Sequence, residues 1–181
     1  ALSTQLNATL DFDRLLDYIL EQIEVFLPYN VAAIQLLDGD HIRIERLRLP
    51  ERTPILDWIV QKAGKMSLPI HETRNLQTIM TSRQPLLIPD VDKYEGWLHF
   101  EHKSHIRSWL GAPLIVQDTI IGVISLDKIE ANYYQEEHIS VLTAFATQAA
   151  TALRNARIYK ENRRKIEELN ALHAIAGASN D

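Results

Sequence analysis

The segment that decides the fold is Arg107-Ser108-Trp109-Leu110-Gly111-Ala112-Pro113-Leu114-Ile115-Val116-Gln117-Asp118-Thr119-Ile120-Ile121-Gly122-Val123-Ile124-Ser125-Leu126-Asp127-Lys128. Two apolar, β-branched runs flank a short polar break at 117–119, and runs this short and apolar favour buried strands over helices. The pattern predicts two antiparallel strands at the centre of a sheet. Gln117-Asp118 is only a fair hairpin turn, since it contains no Gly. Gly122 predicts a bulge or a close approach to the backbone.

Helical spacing of apolar residues predicts a first helix that Thr9 or Asp11 caps and Pro28 ends. Asp38-Gly39-Asp40 is a strong turn between two strands. The predicted elements up to the central hairpin are strands at 31–37 and 42–49, one or two helical turns at 55–62, a helix at 73–82 and a short strand at 86–88.

The last helix is predicted to start near Tyr134 or Gln135 and to run past the domain, because no Pro or Gly follows until Gly177. Two interpretations remain open for its second half. One is a solvated helix, in which 154–168 holds six basic and three acidic residues. The other is a two-stranded coiled coil whose seam is interrupted by Asn162 and Lys165 and formed by Ile158, Leu169, Leu172 and Ala176.

Five segments resemble the GAF domain family in the same order and cover roughly residues 10 to 160. They are LDFDRLL from Leu10, LLIPDV from Leu86, SWLGAPLIV from Ser108, IIGVISLDK from Ile120 and AFATQAATALRNARIY from Ala144. The short segment YQEE from Tyr134, between the last two, also resembles the family. The resemblance implies an α+β fold with a central antiparallel sheet of about six strands. It also implies that the N- and C-terminal helices pack on one face, with shorter helices and loops on the other.

The length of 181 residues suits one domain with an extension. We predict a GAF-like sensory domain over 1–160 and a helical linker over 161–181. Residues 171–181 resemble residues 1–11, so we expect a second similar domain to follow, and the first residue, Ala1, indicates a piece of a longer protein. A net charge of −5 does not indicate a basic surface for binding nucleic acid. No apolar run is long enough for a membrane span. The absence of cysteine agrees with a cytoplasmic location.

His99, His102 and His105 are spaced three apart, so on a helix their imidazoles could converge on a metal or on haem iron. A polar, solvated segment is the simpler interpretation. Trp97, Phe100 and Trp109 form either a small satellite core or the apolar wall of a pocket.

The resemblance places the family's ligand between the sheet and residues 73 to 107. It implies six candidate ligand-binding residues: Asp90, Trp97, His102, His105, Arg107 and Trp109. An ion pair of Arg107 with Asp90 or Glu101 is the alternative for that arginine. The ligand, and any cofactor, is not identified by the sequence.

Three specialised activities of the family do not fit. Without cysteine, the chain can neither attach a bilin through a thioether nor use the cysteine nucleophiles of methionine sulfoxide-reducing GAF domains. The pattern of cyclic-nucleotide-binding members is reduced to Lys128 and an aromatic residue, Tyr134. No phosphate-binding loop or nucleophile elbow is present either, so we predict a protein that is not an enzyme.

The resemblance therefore predicts a signal-transduction module of the kind found in two-component sensor histidine kinases. It would bind an unknown small molecule, form a homodimer through its terminal helices, and pass a conformational bias to a downstream output domain. The alternatives are a purely structural dimerisation domain and a haem or metal sensor that uses the three histidines.

Overall fold

The computed structural model describes residues 2–51, 67–98 and 105–178. Three α-helices and six strands are present in these ranges. In chain order they are α1 (Leu2–Phe26), β1 (Val31–Asp38), β2 (His41–Arg48), β3 (Ser67–Pro69), α2 (Arg74–Ser82), β4 (Leu86–Ile88), β5 (Ser108–Val116), β6 (Thr119–Lys128) and α3 (Glu136–Ala178). The two short 3₁₀ helices are Ile70–Glu72 and Val91–Lys93. The helical turns predicted at 55–62 lie outside the described residues.

The strands form one sheet in the order β3-β2-β1-β6-β5-β4, and each neighbouring pair is antiparallel. The predicted fold class and the predicted central hairpin are therefore confirmed. Strand β6 lies at the middle of the sheet because it pairs with β1 on one side and with β5 on the other. The short strand β3, which the sequence pattern does not predict, forms one edge of the sheet beside β2.

The β5–β6 turn is tighter than the sequence suggests. Val116 pairs with Thr119, so the loop has two residues, and Gln117 and Asp118 both adopt positive φ, 46° and 61°. Two-residue hairpins need this conformation because it matches the twist of the strands, even where no Gly supplies it. The guanidinium of Arg83 donates a hydrogen bond to the Asp118 carbonyl oxygen at 2.6 Å, which supports the turn from outside.

Helices α1 and α3 cover one face of the sheet, as predicted. Their inner faces and the strands beneath them form one apolar core, which includes Leu16, Leu20, Ile23, Ile34, Leu110, Ile124, Leu142, Ala146 and Ala150. Charged groups join α1 to β2 at the rim of this core: Arg46 pairs with Asp17, and Arg48 donates to Glu24 at 3.0 Å. Helix α1 begins at Leu2, so the predicted cap at Thr9 or Asp11 is wrong. Residues 2 to 10 contain no Pro or Gly, so nothing in this segment stops the helix from starting earlier.

Helix α3 is one continuous helix of 43 residues that runs well beyond the sheet. Its buried stripe ends at Leu153. Farther along, Ile158, Leu169 and Leu172 are exposed by 42%, 56% and 62%. At 100° per residue, these side chains lie about 100° to 160° around the helix from Leu153. The second half of α3 therefore presents an apolar stripe to solvent.

Gly122 lies where two central strands come unusually close. A Cβ atom at this position would lie 2.1 Å from the backbone oxygen of Gln35 in β1, and a neighbouring strand cannot move away cheaply. This is the close approach that the sequence predicts.

We expect Gly122→Ala to lower the free energy of unfolding by about 3 kcal/mol, because overpacking a fixed backbone forces the strands apart. Gly39→Ala is the matched control, since Gly39 also sits in a hairpin but has no atom within 4 Å of the place that a Cβ atom would occupy. Only its positive φ opposes the substitution, and we expect a cost of about 1 kcal/mol. Equal effects in urea unfolding would contradict the close-approach explanation.

Candidate functional site

The face of the sheet opposite α1 and α3 is covered by α2 and the segments around it, and we call it the α2 face. Its apolar cluster comprises Ile42, Leu76, Ile79, Ile88, Val91, Ile106, Trp109 and Val123. This cluster is separate from the core under α1 and α3. The candidate ligand-binding residues that are described lie in or beside it.

Asp90 and Arg107 form an ion pair, which is the alternative that the sequence left open for Arg107. The Arg107 guanidinium donates from Nε and Nη2 to Oδ1 of Asp90 at 3.2 and 3.1 Å, and from Nη2 to Oδ2 at 3.2 Å. Arg107 also lies 3.1 Å from a carboxylate oxygen of Asp92. Asp90 is 7% exposed and Arg107 is partly exposed, so one end of the pair remains open to a ligand.

The pair keeps Asp90 ionised. Burial favours the neutral acid, but hydrogen bonds from Arg107 and from the Asp92 backbone N–H outweigh it and lower the pKa of Asp90 below its ordinary value. The carboxylate also accepts from the Asp92 N–H at 3.3 Å, which fixes the start of the 3₁₀ helix at Val91–Lys93. A permanent positive and negative charge therefore stand together at this point.

Trp97 and Trp109 are in contact, with ring centroids 6.0 Å apart at an angle of 67°. Trp109 is buried, at 3% exposure, whereas Trp97 is half-buried. The Trp109 indole lies across Gly111 of its own strand, where a Cβ atom would come within 2.1 Å of the ring. The satellite-core interpretation is supported for these two residues, and the same indoles supply an apolar wall. Phe100 lies outside the described residues.

The three candidate histidines provide less structural support for a site. His105 is exposed and lies before β5 in a segment without regular secondary structure, and His99 and His102 lie outside the described residues. Within 2–51, 67–98 and 105–178, no group of three or more His, Cys, Asp or Glu side chains is arranged to hold a metal ion. The histidine-metal alternative depends on residues that are not described, so it stays a hypothesis.

Asp127 is the residue that sequence reasoning missed. Its side chain is 8% exposed, and burial raises the pKa of its carboxyl group to about 7. No described residue forms a hydrogen bond or an ion pair with this carboxyl group. Strand alternation places Val123, Ser125 and Asp127 on one face, and Gln35 donates to the Ser125 hydroxyl at 3.0 Å. Polar residues at alternate positions of an otherwise apolar strand are the available sequence signal.

Backbone pairing brings these groups to one end of the sheet. Asp127 lies opposite Trp109 in the β5–β6 register. The Val91 N–H donates to the Arg107 carbonyl oxygen at 2.9 Å, and the Arg107 N–H donates to the Lys128 carbonyl oxygen at 2.7 Å. The ends of β4, β5 and β6 are therefore held side by side. Two tryptophans, an ion pair and a carboxyl group that no described residue pairs with lie near one another there.

The same end of the sheet leads directly into α3. The ammonium of Lys128 lies 4.3 Å from the centroid of the Tyr133 ring, and that ring stacks on His138 in the first turns of α3. Tyr134 is fully buried, its backbone N–H donates to the Ser108 hydroxyl, and its own hydroxyl donates to the Pro28 carbonyl oxygen at 3.2 Å. The connection between β6 and α3 is thus packed and hydrogen-bonded rather than loose.

The fold and this arrangement define an α+β domain with a polar and aromatic site on the sheet face opposite its terminal helices. The family model of the GAF domain matches residues 11–153, and the chain belongs to the GAF domain family.

Two curated regulatory proteins are similar to the chain. One is the anaerobic nitric oxide reductase transcription regulator of Vibrio vulnificus, 21% identical over 166 residues, which are 88% of this chain and 31% of that protein. The other is the circadian input-output histidine kinase of Thermosynechococcus vestitus, 24% identical over 173 residues, which are 88% of this chain and 23% of that protein. The chain thus spans a third or less of the length of these relatives.

Solved structures share the fold. The GAF domain/HD domain protein from Geobacter sulfurreducens has a TM-score of 0.70 at 14% identity, over 82% of this chain and 95% of that one. The free methionine-R-sulfoxide reductase from Neisseria meningitidis, solved with its substrate, has a TM-score of 0.59 at 16% identity, over 76% and 74% of the two chains.

Among the helices of the described residues, none is both long and apolar enough to cross a membrane.

Proposed function

We propose that this chain is a non-catalytic GAF-type signalling module, operating in the cytoplasm, that binds a small ligand on its α2 face and dimerises through its terminal helices. It passes the bound state to an output domain further along the chain. Its similarity to parts of a transcription regulator and of a histidine kinase supports a sensory role. Residues 1–160 form the sensory unit in this proposal, and 161–181 form the linker.

The observation that supports ligand binding best is the state of Asp127. The Asp127 side chain is largely buried, and no described residue pairs with its carboxyl group, so its charge is only partly solvated. No described polar side-chain atom is both fully buried and unpaired, so the Asp127 oxygens keep contact with solvent, where a donor group of a ligand would reach them. The Trp97–Trp109 pair offers an apolar wall beside it, and Arg107 offers a cation. We add Asp127 to the proposed site residues Asp90, Trp97, His102, His105, Arg107 and Trp109.

The ligand would contain a planar or apolar body with a donor for the Asp127 carboxyl group. It would also have an acceptor or anionic group for the open side of Arg107. Cysteine-dependent methionine sulfoxide reduction is not proposed, because the chain contains no cysteine. The likeness to the reductase structure is a likeness of fold.

The path to the output is short. Asp127 and Lys128 end β6, and Tyr133 and His138 link that strand end to α3. If α3 can adopt two arrangements relative to the sheet, a ligand that hydrogen-bonds to Asp127 and binds one of them more tightly would shift the equilibrium toward that arrangement through this packed connection. Helix α3 would then deliver the shift beyond the domain.

Dimerisation is proposed from the exposed apolar side chains of the two terminal helices. Tyr18 and Val25 on α1 are exposed by 59% and 71%, and Ile158, Leu169 and Leu172 are exposed on α3. Exposed apolar residues at helical spacing are typical of a helix that packs against a second copy. The parallel orientation of the two copies follows the family resemblance.

Native mass spectrometry of the protein purified from its own source tests both parts. We expect a dimer that retains an additional small mass, and we expect Asp127→Asn to remain a dimer but to lose most of that mass. Asp118→Asn removes a carboxylate from the exposed β5–β6 turn and should keep it. A wild-type dimer without added mass would favour the purely structural dimerisation domain, and a monomer would contradict the dimer proposal.

A further inference from the structure

A cavity lies on the helix side of the sheet, opposite the α2 face. It has a volume of about 780 Å³ and is bounded by α3 just beyond its last buried turn and by the turn ends of the β1–β2 and β5–β6 hairpins. We call it the hairpin-end groove. Of the proposed α2-face site residues that the structure describes, including Asp127, none lines this groove.

The floor of the hairpin-end groove is apolar. Phe12 of α1, Leu36 of β1, Ile121 of β6 and Leu153 of α3 line it. Leu153 is buried, whereas the other three are only partly buried, so the groove exposes apolar surface that the domain core does not cover completely. An apolar ligand body would remove this surface from water.

The walls of the groove are cationic. Helix α3 supplies Arg154, Arg157, Lys160 and Arg163, and β2 supplies Arg43. The acidic side chains in the lining are Asp38 and Glu45, so basic groups exceed acidic ones by three. An elongated site with an apolar floor and positive walls complements a ligand that is apolar at one end and anionic at the other.

Three of these cations have acidic neighbours. Arg43 contacts Asp38 and Glu45, Arg157 pairs with Glu161 at 3.2 Å, and Arg163 lies 4.0 Å from Glu167. Within the described part of the chain, the side chains of Arg154 and Lys160 form no ion pair and no hydrogen bond. Both line the groove from α3, six residues apart, so their charges are available to a ligand there.

We propose that the hairpin-end groove binds an amphipathic anion, with its apolar body on the floor and its carboxylate or phosphate between Arg154 and Lys160. Such a ligand would bridge the sheet to α3 just beyond Leu153, where the helix leaves the domain. The groove would then be a second regulatory site that acts on the exit helix directly. This proposal is independent of the α2-face site, because the two lie on opposite sides of the sheet.

The test uses decanoate as the probe and decylamine as its control, since both contain the same number of carbon atoms and carry opposite charges. Titrations are followed by backbone amide NMR at concentrations below micelle formation. We expect decanoate to shift the amides of Leu36, Ile121 and 153–163 in a saturable way. Decylamine should bind at least about tenfold more weakly, because it loses the charge-assisted contacts.

The test variant is Arg154→Gln/Lys160→Gln, which we expect to weaken decanoate binding about tenfold or more. The control Arg164→Gln/Lys165→Gln removes the same charge from the same helix at positions that do not line the groove, and it should bind as the wild type does. Three results would overturn the proposal: equal binding of decanoate and decylamine, equal loss in both double variants, or shifts confined to Ser125 and Trp109 on the α2 face. Failure of the α2-face site would leave the decanoate result unchanged.

Discussion

Asp127→Asn is expected to make the protein more stable at pH 8, by up to roughly 4 kcal/mol, and to leave its stability at pH 4 almost unchanged. Burial raises the pKa of the folded-state carboxyl group to about 7, from an ordinary value of 3.8. A difference of one between the folded and unfolded pKa corresponds to about 1.4 kcal/mol. The amide has nearly the same shape and no charge to bury.

The sign follows from which state holds the proton. Between about pH 4 and pH 7 the unfolded chain has lost this proton while the folded chain keeps it, so stability falls as the pH rises through that window. Above pH 7 both states are ionised and the full cost of the buried charge is present. Below pH 4 both are neutral and the cost disappears.

Urea unfolding at pH 4, 6 and 8 measures this effect. Asp118→Asn is the control, because it removes one negative charge from an exposed turn, and we expect no comparable stabilisation at pH 8. If the wild type and Asp127→Asn differ in their free energy of unfolding by the same amount at all three pH values, the carboxyl group is already solvated or paired. Asp127 would then give no reason to expect a ligand on the α2 face.

Leu169→Glu is expected to weaken self-association by at least about 100-fold. In a symmetric pair of parallel helices, each copy would bring the new carboxylate to the same seam, so two like charges would face each other where apolar contact was made. Leu169 is 56% exposed in the single chain, so the substitution itself costs the fold little. Analytical ultracentrifugation measures the association constant.

Ala171→Glu is the matched control, since it places the same charge two residues away on the roughly opposite side of α3. Circular dichroism should show equal helix content in both variants. Equal association of Leu169→Glu, Ala171→Glu and the wild type would exclude this stripe of α3 as the dimer contact.

Most of the fold could be predicted from local patterns. The β-branched runs on either side of 117–119 predicted the central hairpin, and the pattern at 31–49 predicted β1 and β2. Two failures have physical reasons. Strand β3 has only three residues, too few for an alternating apolar pattern, and it forms only because β2 offers a free edge to pair with. Helix α1 extends back to Leu2 because no helix-breaking residue precedes Thr9 or Asp11.

The site was less predictable because its key property is environmental. The Asp90–Arg107 pair could be anticipated from opposite charges beside adjacent strands, and Trp97 and Trp109 from their aromatic character. Asp127 and Lys128 together look like the polar end of a strand. Only the burial of the Asp127 side chain on the α2 face, which depends on the packing of β1, β5 and β6, distinguishes it.

Amide hydrogen exchange of α3 tests the central claim most directly, that occupancy of the α2-face site reaches the exit helix. The protein would be compared as purified, with its co-purified small molecule, and after unfolding in urea, dialysis and refolding. We predict slower exchange in the occupied protein both at β6 and across residues 136–160. A change confined to the α2 face, with identical exchange in α3, would contradict the account.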